Sequence, residues 1–151
     1  MSSDNKKNTN KKNTSDNKME LKFLSYSQNE SFARSVAGLF SLQLNPSVAQ
    51  LSDIKTAVSE AVTNCIVHGY PNKVGEIVME AEIHENTLHI NIFDQGVGIE
   101  NVSEALEPFF TTREEDERSG MGFTIMKSFM DEVEVISQKG KGTKVYMKKT
   151  I

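Results

Sequence analysis

Apolar positions recur with two different periods along the chain, and the changes of period mark out its elements. Leu21, Phe23 and Tyr26 form a short strand-like run. Phe32, Val36, Leu39 and Phe40 follow at helical spacing, behind Ser27-Gln-Asn-Glu30, which has the spacing of a capping box. A helix is therefore predicted from Ser27, with those four residues as its apolar face. Asn45-Pro46 ends it, because the residue before a proline is pushed out of the helical region. Leu51, Ile54, Val58, Ala61, Cys65 and Ile66 share one stripe of a second helix over residues 47–68, closed by Gly69-Tyr70-Pro71-Asn72.

The period then drops to two. Ile77, Met79, Ala81 and Ile83 alternate, as do Leu88, Ile90 and Ile92, with Glu85-Asn86 between them: a hairpin with one apolar face. Glycine-rich and charged segments fill residues 94–122. A short helix bearing Phe123, Met126 and Met130 comes next, then strand-like Val133 and Val135, a Gly140-Lys-Gly142 turn, and Val145 with Met147. Strands with one apolar face need a layer of helices over that face. The predicted fold is a two-layer α/β sandwich whose mixed or antiparallel sheet is covered by helices on one face. Strands and helices do not alternate regularly, which argues against a doubly wound parallel sheet.

Residues 1–18 change the picture at the N-terminus. They are Asn, Lys, Ser, Thr and Asp with no buried-type residue after Met1, and such a segment cannot bury enough apolar area to offset its ordering entropy. They read as a disordered polar tail, with the folded domain over residues 19–151. The length of 151 residues suits one domain. The net charge of −4 calls for no nucleic-acid surface. No apolar run approaches the roughly 18 residues that span a bilayer, and the polar start is no secretory signal. The single cysteine, Cys65, fits a reduced cytoplasmic protein.

Four segments carry candidate chemistry. Glu60, Asn64 and His68 stand four residues apart on the second helix, a slowly turning polar row beside the apolar stripe. Asn64 offers a neutral oxygen to a hard cation such as Mg²⁺, and Glu60 a carboxylate able to orient or deprotonate a hydroxyl. Asp94-Gln-Gly96-Val-Gly98 ends a strand. Its acid can accept a hydrogen bond from an exocyclic amine, and its glycines let the backbone approach a ligand. Arg118-Ser-Gly120-Met-Gly122 opens the short helix, exposing amides at the positive end of the dipole, where phosphate binds. Gly140-Lys-Gly142-Thr143 precedes the last strand. Taken singly, each has a plain structural explanation: a polar helix edge, a capping Asp, a loop stop, a hairpin turn. The charged stretch from Phe110 to Gly120, lying between two glycine motifs, reads as a lid. No Gly-x-x-x-x-Gly-Lys-Ser is present, which excludes a Walker-type nucleotide site.

In this order, the four segments resemble the N box and glycine boxes of the GHKL ATP-binding superfamily, over nearly all of the chain after the tail. Within it, Ser27-Gln-Asn-Glu-Ser-Phe-Ala-Arg34, Ser59-Glu-Ala-Val-Thr-Asn64, His68-Gly-Tyr70, Phe110-Thr-Thr112 and Glu117-Arg-Ser-Gly-Met-Gly-Phe-Thr-Ile-Met126 resemble the anti-sigma factor serine kinases, those of sporulation type most closely. The resemblance implies a Bergerat-type sandwich that binds ATP or ADP with Mg²⁺. It implies Asp94 on the adenine amine, Asn64 on Mg²⁺, and Gly96, Gly98, Gly120 and Gly122 shaping pocket and lid hinge. Thr143 would support the adenine side, Thr112 and Arg118 would belong to the nucleotide site, and Glu60 would be the catalytic base or orienting carboxylate. His68 would support its end of the helix. The implied activity is phosphorylation of a serine on an anti-anti-sigma protein by a homodimer that also sequesters a sigma factor, with Arg34 contacting a partner. No direct nucleic-acid or membrane contact is implied. The alternatives are a general-stress-type anti-sigma kinase, a nucleotide-gated binding module without transferase activity, and a detached histidine-kinase catalytic domain. Glu60 argues against the binding module, and the lack of a phosphoacceptor hairpin argues against the last.

Overall fold

In the computed structural model, which describes residues 16–107 and 121–151, every strand of the sheet runs antiparallel to its neighbours. The strands are β1 (Asn17–Leu24), β2 (Glu76–His84), β3 (Thr87–Asp94), β4 (Glu132–Gln138) and β5 (Gly142–Thr150), in the order β1-β2-β3-β5-β4. Helices α1 (Gln28–Ser41), α2 (Val48–Asn64) and α4 (Gly122–Phe129) pack on its apolar face, and a single-turn α3 (Val102–Ala105) lies between β3 and α4. Ile77, Met79, Leu88, Ile90, Ile92 and Met147 from the strands meet Ile54, Val58 and Met126 from the helices, all fully buried. The two-layer architecture is the one the periodicities predict.

Two expectations near the N-terminus are corrected. The strand β1 starts at Asn17, so Asn17 and Lys18, assigned to the tail, pair with Ile83 and Glu82 of β2; residues 1–15 lie outside the described residues. Ser27 makes no side-chain cap on α1. Its expected reciprocal partner, Glu30, instead accepts the hydroxyl of Ser59 on α2 and lies 3.8 Å from Arg34. The capping box forms one helix later, where Ser47 accepts from the Gln50 amide and the Gln50 side chain accepts from the Ser47 amide. Such an arrangement stabilises a helix start by about 1 kcal/mol.

The apolar face of α1 also differs. Ala33, Ala37 and Gly38 are buried, whereas Phe32 is 50% and Leu39 67% exposed. Small residues let α1 lie close against α2, which turns the large ones outward. The second helix follows its predicted stripe, with Ile54, Val58, Ala61 and Cys65 buried. It changes character at Cys65, where the backbone widens into a π-helical turn, Cys65–Gly69, that ends with the Tyr70 amide donating to the Cys65 carbonyl. The α-helical part of the row Glu60, Asn64, His68 thus ends at Asn64, and His68 lies within the π-helical turn.

Candidate functional site

Strict alternation along β3 buries Leu88, Ile90 and Ile92, and the same alternation carries Asp94 to the helix side, 6% exposed. A carboxylate there requires partners. The Gly96 amide donates to Oδ1 at 2.8 Å. Burial holds the Asp94 carboxyl above its ordinary range, an effect opposed by hydrogen bonds from the Gly96 amide, the Cys65 thiol and the Thr143 amide. Burial, reinforced by the Asp94 charge, likewise pushes the Cys65 thiol well up. Asp94 is paired across the sheet with Thr143 of β5, and Thr143 with Ser137 of β4.

The segment after Asp94 is a strap held to two neighbours. The Val97 amide donates to the Gly69 carbonyl at 2.9 Å, the Gly140 amide to the Val97 carbonyl at 2.6 Å, and the Ile99 amide to Ser137 Oγ at 2.7 Å. Two glycines permit this closeness. A β-carbon at Gly96 would fall 1.9 Å from the Gly69 carbonyl oxygen, and one at Gly98 would fall 2.1 Å from that of Gln138, where φ is +73° as well. Tyr70 fastens the other side: its hydroxyl donates to the Glu76 carbonyl at 2.6 Å and accepts the Gln95 amide at 2.8 Å.

Asn64 directly precedes Cys65, whose thiol reaches Asp94. Its Nδ2 is buried and has no hydrogen-bond partner among the described residues. A β-carbon at Gly122 would lie 3.0 Å from that atom and 3.2 Å from Oδ1, so the glycine keeps open the space between Asn64 and the start of α4. Met121 makes no side-chain cap hydrogen bond to α4 among the described residues. A buried donor, an amide oxygen beside it and a helix N-terminus together fit an anionic ligand with a hard cation. Asn64 would hold Mg²⁺ through Oδ1, and Asp94 would face an exocyclic amine. When bound, the cation would neutralise phosphate charge.

The structure thus brings together Asn64, Asp94, Gly96, Gly98, Gly122 and Thr143. Glu60 sits half-buried one turn before Asn64 on α2. Arg34 stands apart from that row, on α1, with Nη2 3.4 Å from Ser31 Oγ and Nη1 3.8 Å from Glu30. Through Glu30 it is joined to Ser59, the residue before Glu60. Thr112, Arg118, Gly120 and the expected lid lie outside the described residues. A cleft of about 730 Å³ lined by Val97 to Glu104 and Lys139 shares Gly98 with the strap but none of Asp94, Asn64 or Thr143; the polar chemistry lies elsewhere. Ser137, Gly69 and Tyr70 were not assigned to the site by sequence. Tyr70 and Gly69 at least follow the N-box helix directly, whereas nothing in the sequence links Ser137 to Ile99.

Residues 27–149 match the family model described as the histidine kinase-like ATPase domain. A protein of Caldanaerobacter subterraneus subsp. tengcongensis named anti-sigma F factor is 60% identical over 135 residues, covering 89% of this chain and 94% of that one. The protein of that name from Clostridium acetobutylicum is 55% identical over 134 residues, covering 89% and 94%. Among solved structures, the RsbU and RsbW domains of Rv1364c from Mycobacterium tuberculosis superpose with a TM-score of 0.63 at 16% identity, over 89% of this chain and 32% of that one. The catalytic domain of histidine kinase ThkA superposes with a TM-score of 0.57 at 15% identity, over 87% and 95%. At such identities these two likenesses speak for the fold alone.

Proposed function

We propose, because this chain belongs to the histidine kinase-like ATPase family and groups with the anti-sigma F factors, that it is an ATP-dependent protein serine kinase which also sequesters a sporulation sigma factor. The observation that carries the nucleotide reading is a pair of features. One is the Asp94–Thr143 pair at the end of the sheet; the other is Asn64, whose amide donor has no hydrogen-bond partner among the described residues and which lies beside Gly122 at the start of α4.

In this reading Asp94 and Thr143 take the adenine, Asn64 holds Mg²⁺, and the amides at the start of α4 take phosphate. Glu60, one helical turn from Asn64, accepts the proton of the attacking serine hydroxyl as its oxygen bonds to the γ-phosphorus and ADP departs. The serine belongs to an anti-anti-sigma protein. Arg34, partly exposed on α1 and joined through Glu30 to the residue beside Glu60, contacts a protein partner. Phe32, Leu39 and Leu42 leave an apolar surface on and just beyond α1, and a second copy of the chain covers it in a homodimer. No helix among the described residues is long and apolar enough to cross a membrane, and the protein acts in the cytoplasm.

The test is incubation with γ-labelled ATP, Mg²⁺ and a candidate anti-anti-sigma protein, with Glu60→Ala in parallel. Label on a partner serine, lost in Glu60→Ala while ADP binding persists, is the expected result. Intact nucleotide binding with no transfer in the unaltered protein would replace the kinase with a nucleotide-gated binding module.

A further inference from the structure

Three inward-facing side chains end the sheet in one row: Asp94 on β3, Thr143 opposite it on β5, and Ser137 opposite Thr143 on β4. Ser137 Oγ lies 2.7 Å from the Ile99 amide nitrogen, 2.9 Å from the Gly142 carbonyl oxygen and 2.7 Å from Thr143 Oγ1. A serine hydroxyl has one proton and two lone pairs. All three contacts are hydrogen bonds at once only when the Ser137 proton goes to the Gly142 carbonyl, which can only accept. The Ile99 amide can only donate, so it takes one lone pair. The contact with Thr143 is then a hydrogen bond only when Thr143 is the donor. With its proton directed at Ser137, Thr143 keeps two lone pairs and no proton for anything bound beside it.

We propose that Ser137 is a specificity-determining positioning residue: by accepting the Thr143 proton it makes position 143 an acceptor beside the Asp94 carboxylate, so that the site selects a 6-amino purine over a 6-oxo purine. The inference rests on the nucleotide-binding reading above and deepens it. Two neighbouring acceptors match the two hydrogens of an exocyclic amine, whereas a carbonyl oxygen placed there meets lone pairs on both sides. The same hydroxyl also anchors the strap at Ile99, so Ser137 couples the position of the glycine loop to the polarity of the floor beneath it. Sites that read a polar group by hydrogen bonding discriminate strongly because the wrong ligand leaves buried groups unpaired.

The test is calorimetric titration of the full chain with ADP and with inosine diphosphate, in Mg²⁺, for the unaltered protein, Ser137→Ala, Ser137→Cys and Ser137→Thr. The unaltered protein is expected to prefer ADP. Ser137→Ala frees the Thr143 proton to donate, so the preference should narrow by about tenfold, and Ser137→Thr, which keeps the hydroxyl, should restore it. A purely structural role would weaken both nucleotides equally, and an unchanged ratio in Ser137→Ala would overturn the proposal. Should Ser137→Ala lose its helical circular dichroism, the ratio is measured on Ser137→Cys, whose thiol is a weak acceptor: a narrowed preference supports the proposal and an unchanged one overturns it. An unaltered protein that binds neither nucleotide would overturn the nucleotide reading and this inference with it. One that binds ADP, with a preference untouched by either variant, would overturn the inference alone.

Discussion

The carboxylate of Asp94 rests directly on the backbone of Gly69: a β-carbon at that glycine would lie 2.8 Å from Oδ2 and 3.0 Å from Oδ1. At Gly69 the turn that closes the N-box helix thus presents only backbone to Asp94. Gly69→Ala should displace the carboxylate, lowering ADP affinity at least tenfold and destabilising the fold by about 1–3 kcal/mol, the usual range for overpacking. Calorimetric titration and urea unfolding check the two effects separately.

Asp94 itself should be a liability to the nucleotide-free fold. Its folded pKa is raised by burial. A raised pKa contributes stability that is fully present below the unfolded value, near 3.8, and is lost as pH rises through the folded value. At neutral pH the ionised, buried group therefore costs stability. Asp94→Asn should unfold at higher urea than the unaltered protein at pH 7 and should no longer be stabilised by added ADP. An Asn variant less stable than the parent at pH 7 would contradict the sign of this argument.

On the solvent side of the sheet, His89 donates to or accepts from the Tyr146 hydroxyl at 2.7 Å, with the His84 ring edge-on at 5.5 Å. Burial lowers its pKa, with His84 and Lys148 adding to the effect and Glu82 and Glu132 opposing it. A depressed pKa means the unfolded chain binds the proton more readily. The contribution is present above the unfolded value, near 6.5, and is lost as pH falls through the folded value. Unfolding midpoints taken from pH 8 down to pH 5 should fall more steeply for the unaltered protein than for His89→Gln.

Leu39, on α1, is left 67% exposed within one copy of the chain. Leu39→Asp should leave the unfolding free energy of the monomer within about 0.5 kcal/mol, as surface substitutions do. It should shift the mass measured by light scattering from dimer to monomer. An unchanged dimer mass would move the interface away from α1.

The parts of this molecule that were legible in its sequence are those governed by local periodicity and by glycine spacing. The β2–β3 hairpin, its turn at Glu85-Asn86 and the inward placement of Asp94 all follow from a period of two, and the order of the boxes pointed to the candidate site. What was missed depended on contacts distant in sequence. Ser27 and Ser47 both precede a residue fit to complete a capping box. Only Ser47 forms one, because Glu30 has a better-placed partner in Ser59, which is 29 positions away. Phe32 and Leu39 fall at helical spacing with Val36 and Phe40, yet packing chose Ala33 and Ala37. The π-helical turn that holds His68 leaves no mark in a pattern of polar and apolar letters.

The two ends of the sheet are joined very differently, with a practical consequence for anyone who wishes to alter the chain. At the β2–β3 turn only Glu85 and Asn86 intervene, and Asn86 reaches across to Ile151 at the end of the chain. At the opposite end, residues 69–70, 95–99 and 137–143 are stitched into a single knot. A peptide tag or a fluorescent reporter inserted at 85–86 therefore leaves that knot untouched, whereas a single residue added at 69–70 would unlace it.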